Sequence, residues 1–149
     1  MNIWSKKRWI ATLALLPALA APALVAAQNG STDKTGGPVR TANAIRPFTT
    51  AALVAAQRAG RPILVDVHAD WCPTCRAQAP VIASLVADPA NANVVFLRLN
   101  FDTQQRERAA LRATSQSTLI AFRGRRETGR LQGVTDAGQI ARLVASTRS

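Results

Sequence analysis

Three features of this sequence predict an α/β fold with a central mixed β-sheet flanked by helices on both faces. Short β-branched runs alternate with stretches of helical period from residue 45 onward. Late in the chain a turn-like segment joins two runs that read as an antiparallel hairpin, and a capped helix follows them. In 149 residues there is room for one such domain and a terminal extension.

Ile45 to Phe48 reads as a short edge strand. Thr49 or Thr50 can N-cap a helix that carries Leu53 and Val54 as far as Ala59, where Gly60 stops it. Pro62 opens the next element, and Ile63 to His68 is a β-branched run suited to a buried central strand, with Asp66 conspicuous inside it. From Cys72 to about Ala87 apolar residues recur at helical spacing (Ala79, Ile82, Ala83, Val86); Pro80 is expected to kink this helix and Asp88-Pro89 to end it. Val94 to Asn100 reads as a second buried strand, and Thr103 to Ala113 as a helix with Leu111 turned inward. Thr118 to Phe122 and Glu127 to Leu131 flank the turn Arg123-Gly124-Arg125-Arg126, and Asp136 caps a last helix to about Ser146.

Ahead of this domain, Lys6, Lys7 and Arg8 precede an uncharged apolar run from Ile10 to Ala27 that ends in the small residues Val25-Ala26-Ala27. That is signal-peptide order, so residues 1–27 are expected to be cleaved before Gln28. The competing reading is an uncleaved membrane anchor, disfavoured by Pro17, Pro22 and the high Ala content of the run. Either reading places the domain in a periplasm or outside the cell. Residues 28–44 are rich in Gly, Ser, Thr and Asn without apolar periodicity and read as a flexible linker, which leaves 45–149 as the folded domain.

Composition narrows the function. With 48% hydrophobic and 18% charged residues the chain can bury a core. The net charge of +11 raises nucleic-acid binding, but the arginines are scattered, only Arg123, Arg125 and Arg126 cluster, and there is no Tyr to help stack bases. A solvated basic surface accounts for the charge, and no nucleic-acid partner is expected. Two Cys and one His cannot supply the four protein ligands of a closed structural zinc site.

The strongest signal is Trp71-Cys72-Pro73-Thr74-Cys75, a C-x-x-C directly after a predicted strand and opening a predicted helix. A helix N-terminus presents unpaired N–H groups and partial positive charge, which stabilise a thiolate and lower a Cys pKa. Cys72 is therefore expected to be the nucleophile, and Cys75, one helical turn on, the thiol that resolves a mixed disulfide. A purely structural bridge is a weaker reading, because so short a loop constrains the unfolded chain little. Metal binding stays open: two thiolates and His68 could hold zinc or copper with one position free. A carboxylate such as Asp66 in a β-rich core should have a raised pKa and can act as a general base near neutrality; pairing with Arg98 is its alternative.

The segment Val65-Asp66-Val67-His68-Ala69-Asp70-Trp71-Cys72-Pro73-Thr74-Cys75 resembles the active-site segment of the thioredoxin superfamily. Ala-Asp-Trp-Cys is similar to one branch, the C-terminal periplasmic domain of the membrane-spanning thiol:disulfide interchange reductases, and the similarity extends over roughly Phe48 to Val144. The resemblance implies the thioredoxin fold, and it implies that Asp66 lies beneath the resolving cysteine and helps accept its proton. It also places Trp71 beside the cysteines, matches Pro80 to the family's helix-kinking proline, and puts Arg98 where members often have Lys. Gly133 matches a glycine near the active-site surface, or simply ends a strand.

The chain departs from the family at three points. Ser117 stands where members have a cis-proline facing the C-x-x-C. A cis bond without proline costs about 2.5 to 4 kcal/mol, so Gln116-Ser117 is expected to be trans and the substrate-binding loop reshaped. Loss of that proline slightly favours metal access to the cysteines; alternatively Ser117 hydrogen-bonds a thiolate. His68 replaces a frequent aromatic residue on the strand face of Asp66, and is either an imidazolium that lowers the Cys72 pKa or a buried neutral filler. Pro73-Thr74 replaces the usual Gly-Pro, a dipeptide that tunes whether a member reduces or oxidises.

The expectation is an exported thiol:disulfide oxidoreductase that exchanges disulfides with protein substrates through Cys72 and Cys75. A reductant is favoured, as a monomer, with no cofactor beyond its own redox-active disulfide and with a membrane thiol-disulfide reductase as electron donor. The rivals are a copper or zinc chaperone built on the same cysteines, and a non-catalytic module that uses the basic surface.

Overall fold

The computed structural model describes residues 43–149; the expected signal peptide and all but the end of the linker lie outside the described residues. The described chain begins earlier than the sequence reading of the linker allows. Asn43 is already tied down, its side-chain amide donating to the carbonyls of Asn91 and Val94.

β1 (Ile45–Pro47) is a short edge strand, and α1 (Thr50–Arg58) follows with Thr49 as its N-cap, whose hydroxyl accepts from the Ala52 N–H at 3.0 Å. β2 (Pro62–His68) buries five consecutive residues, as a strand covered on both faces must. α2 (Pro73–Ala87) carries Pro80 inside it, ends at Asp88, and passes through a single 3-10 turn over Pro89–Asn91 into β3 (Val95–Asn100). α3 (Gln105–Ala110), β4 (Thr118–Arg123), β5 (Arg126–Gln132) and α4 (Ala137–Ser146) complete the domain.

The sheet order is β1-β3-β2-β4-β5, with β1 and β2 parallel to β3 and β4 antiparallel to both β2 and β5. Strand alternation divides the core in two. Ile63, Val65, Val67, Val95, Leu97, Leu99, Ile120 and Phe122 pack with Leu53 and Ala56 of α1 on one face. On the other face Leu64, Phe96, Leu119 and Ala121 meet Ile82 of α2 and Ile140, Leu143 and Val144 of α4. The same alternation puts Asp66 and His68, with Arg98 and Asn100 opposite them in register, on the face that α2 crosses.

Three elements differ from expectation. The third helix is shorter than Thr103 to Ala113: Asn100 Oδ1 accepts the N–H groups of Asp102 and Thr103 in a turn, and Arg112 takes φ 52 at the other end. Leu111 becomes the C-cap and, half-buried, still packs against the core as expected. The hairpin turn is two residues, Gly124-Arg125, because Gly124 adopts φ 54 and lets Arg123 pair with Arg126. In α2 the buried stripe is Cys75, Gln78 and Ile82, whereas Ala83 is exposed.

Candidate active site

β2 ends at His68, and the chain turns through Ala69, Asp70 and Trp71 into α2, with Cys72 as N-cap and Pro73 at the first helical position. The turn is closed by the Cys72 N–H donating to the Ala69 carbonyl. The Cys72 sulfur accepts the orphan N–H of Cys75 at 3.3 Å, so it takes the place of the usual capping oxygen. Both cysteines are free thiols and almost wholly buried, clustered with Ala69 and packed by Phe101.

Ser117 faces this pair from the loop before β4. Its Oγ lies 3.0 Å from Cys72 Sγ and 3.1 Å from Cys75 Sγ. The residue is buried and held at φ 55, and no described peptide bond is cis. Gln116 enters the site only as the half-buried residue that leads into it. The Ser117 carbonyl accepts from the Gly133 N–H at 2.9 Å and from Gln78 Nε2 at 3.3 Å, and Gln78 Nε2 also donates to the Val134 carbonyl at 2.7 Å. Gln78 thus ties α2 to the loop before β4 and to the loop after β5.

The two thiols are shifted in opposite directions. Burial pushes Cys72 up, but hydrogen bonds from Ser117 and Cys75 and from the backbone N–H groups of Cys75 and Thr74 outweigh it and hold Cys72 below the ordinary thiol value. Burial also pushes Cys75 up, and there the hydrogen bonds from Ser117 and the backbone do not overcome it. Of the two thiols, Cys72 is therefore the one that ionises more readily.

Asp66 stands opposite Arg98 in the β2–β3 pair, and Arg98 Nε donates to Asp66 Oδ2 at 2.9 Å. Its other oxygen, Oδ1, is buried without a hydrogen-bond partner. Burial raises the Asp66 pKa despite the charges of Arg98 and His68. The pairing of Asp66 with Arg98 is present, although Arg98 is partly exposed rather than buried.

His68 turns toward carboxylates and not toward the thiol pair. Nδ1 is 3.9 Å from Asp66 Oδ2, and Nε2 is 3.4 Å from Asp70 Oδ1. None of the interactions that set the Cys72 thiol involves it. With Arg46, Asp70, Arg98, Asn100 and Gln104 it borders a cleft of about 290 Å³ at the β1–β3 edge. Alternation puts His68 on the face of Asp66, and its neighbour in register on β3 is Asn100. Among the described residues no three of His, Cys, Asp and Glu are grouped to hold a metal ion.

Trp71 also differs from expectation. It is 57% exposed, and its indole N–H donates to Asp102 Oδ2 at 3.0 Å, so the ring stands out beside the site while Phe101 packs against the sulfurs. Pro73 is exposed and Thr74 half-buried. Gln78 and Asp102 are the site residues that sequence reasoning missed. The one available signal for Gln78 was its position three residues after Cys75 on the helix, and Asp102 carried none.

The sequence matches the family described as thioredoxin over residues 52–146. The chain belongs to the thioredoxin family. Among curated thioredoxins, that of Echinococcus granulosus is 32% identical over 87 residues, covering 58% of this chain and 79% of that protein. The thioredoxin of Chlamydia muridarum is 31% identical over 83 residues, covering 56% and 79%. The crystal structure of Trxlp from Edwardsiella tarda EIB202 superposes with a TM-score of 0.66 at 38% identity, covering 68% of this chain and 98% of that one. A thioredoxin from Malassezia sympodialis shares the fold, with a TM-score of 0.63 at 16% identity. Thioredoxin chemistry is what the pair Cys72 and Cys75 is arranged for: a low-pKa thiol at a helix N-terminus, a second thiol one turn behind it, and thiol:disulfide exchange between them and a protein disulfide.

Proposed function

We propose that this thioredoxin-family oxidoreductase is an exported reductant of protein disulfides. The Cys72 thiolate attacks a substrate disulfide and Cys75 resolves the mixed disulfide, with Asp66 accepting the Cys75 proton and Arg98 holding Asp66 in place. A membrane thiol-disulfide reductase returns two electrons to the Cys72–Cys75 disulfide. Trp71, Pro73, Thr74 and Gln116 border the surface that meets the substrate.

The observation that carries the reductant reading is the plain connection between the motif helix and the sheet. Between Asp88 and Val95 the chain makes a single 3-10 turn, with none of the long helical insertion expected of oxidising and isomerising relatives. Export is supported by the order of charge, apolar run and small residues in 1–27.

The test is the reduction potential of the Cys72–Cys75 couple, set by equilibration in glutathione buffers and read by trapping free thiols. A value nearer the roughly −270 mV of a reducing thioredoxin than the roughly −120 mV of a strong oxidant supports the reductant. A value at the oxidising end overturns it. Fractionation of cells expressing the full chain, with N-terminal sequencing of the product, checks for export and for a start at Gln28.

A further inference from the structure

Ser117 Oγ is within hydrogen-bond distance of both sulfurs at once, at 3.0 and 3.1 Å, and the residue is 3% exposed, so water does not compete for it. A hydroxyl has one proton to donate and two lone pairs, and it can rotate to suit its neighbours. Its position is fixed from behind, because Gln78 and Gly133 both donate to the Ser117 carbonyl. The side chain of a proline at this point would offer neither a donor nor an acceptor to the cysteines.

We propose that the Ser117 hydroxyl is a catalytic donor that stabilises the thiolates of Cys72 and Cys75 in turn. The proposal rests on the thiol–disulfide chemistry described above and adds a residue to it. In the reduced enzyme the hydroxyl donates to the Cys72 thiolate, while Oγ accepts the S–H of Cys75. When Cys72 attacks, its sulfur bonds to one substrate sulfur, the substrate S–S bond breaks, and the second substrate sulfur leaves as a thiolate that takes a proton from solvent. The Cys72 sulfur then carries no charge, and the hydroxyl is free to turn.

Cys75 gives its proton to Asp66, and the Ser117 O–H swings to the new Cys75 thiolate. Cys75 Sγ attacks Cys72 Sγ, the mixed disulfide breaks, and the remaining substrate thiolate leaves and is protonated. Two cysteine thiols have lost two electrons, and one substrate disulfide has gained them. One hydroxyl thereby serves both steps, because the two sulfurs are almost equidistant from it.

The experiment uses the reduced full chain with dithiobis(nitrobenzoate), which releases one coloured thiolate on attack by Cys72 and a second on resolution by Cys75. Ser117→Ala and Ser117→Gly both remove the hydroxyl, and glycine also relieves the left-handed backbone. In both variants each phase should slow about tenfold near neutral pH, the scale of a lost hydrogen bond to a charged group. The ultraviolet thiolate absorbance of Cys72 should also titrate at higher pH in both. An unchanged second phase in the two variants overturns the proposal, as does a glycine variant with wild-type rates, which would assign the effect to backbone strain. If the wild-type chain releases no second thiolate, the exchange reading itself fails, and this is seen before any variant is compared.

Discussion

Asp66 and Arg98 stand opposite each other in adjacent parallel strands and share one hydrogen bond, Arg98 Nε to Asp66 Oδ2 at 2.9 Å, while Asp66 Oδ1 is buried with no partner. The guanidinium therefore satisfies half of a carboxylate that the core leaves otherwise unsolvated. Such a group is held poised to take a proton, at a cost to the fold.

That cost can be measured. The folded-state pKa of Asp66 lies above its unfolded value because burial outweighs Arg98 and His68. The folded chain binds this proton more tightly than the unfolded one, so the contribution to stability is fully present below the ordinary carboxylate pKa and is lost as pH rises through the folded value. Asp66→Asn removes this loss. The variant should be more stable than wild type at neutral pH, with the gap closing as the pH falls toward about 4. The same variant should slow turnover at neutral pH by about a hundredfold, the usual scale for loss of a general base. Urea melts across pH, paired with insulin-reduction rates, check both; a gap that widens on acidification would contradict the assignment.

Trp71 separates binding from folding. The residue is 57% exposed, and its indole N–H makes a hydrogen bond to Asp102. Trp71→Ala should leave the unfolding free energy within about 0.5 kcal/mol of wild type. An aromatic anchor lost from a docking surface weakens binding, so KM for a protein disulfide should rise about tenfold with little change in kcat. Steady-state kinetics with a thermal melt make the comparison. A large drop in Tm would mean that the ring is a structural prop.

At the far end of the sheet, Gly124 tests the fold without touching the site. It sits at φ 54, and a Cβ there would lie 3.3 Å from Gly60 Cα and 3.4 Å from the Gln57 carbonyl oxygen. Gly124→Ala should cost about 1 to 2 kcal/mol from the left-handed conformation, with the crowding adding to it. β2 runs from Pro62, which pairs with Arg123 beside this turn, to His68 at the motif. The exchange rates of the folded variant should therefore match wild type.

Most of the fold was legible because local signals and long-range packing agree. Thr49 and Asp136 cap the helices they were expected to cap, and the β-branched runs at Ile63 and Val94 became the two central parallel strands. Asp66 was legible because a carboxylate inside an apolar strand is anomalous. What escaped was set by register and by direction. His68 was placed on the right face, but strand pairing, which decides its neighbours, is not written in a single strand. Gln78 escaped because nothing local marks an amide on a helix as buried, and only the loops packed over α2 make it a clamp.

That clamp supports the last prediction. Gln78 Nε2 holds the Ser117 and Val134 carbonyls, whereas its Oε1 is buried with no partner. Gln78→Leu deletes two donated bonds, but it also deletes an unsatisfied acceptor, so the loss of stability should be modest, about 1 kcal/mol. Gln78→Glu replaces the donating amide with a carboxylate facing two carbonyl oxygens in a dry site, which strongly favours the protonated acid. The folded pKa of that glutamic acid would exceed its unfolded value, so this variant should be close to wild type in acid and lose stability as pH rises above about 4. Chemical melts over pH distinguish the two substitutions. A pH-independent deficit for Gln78→Glu would show that the loop pair opens to water around residue 78.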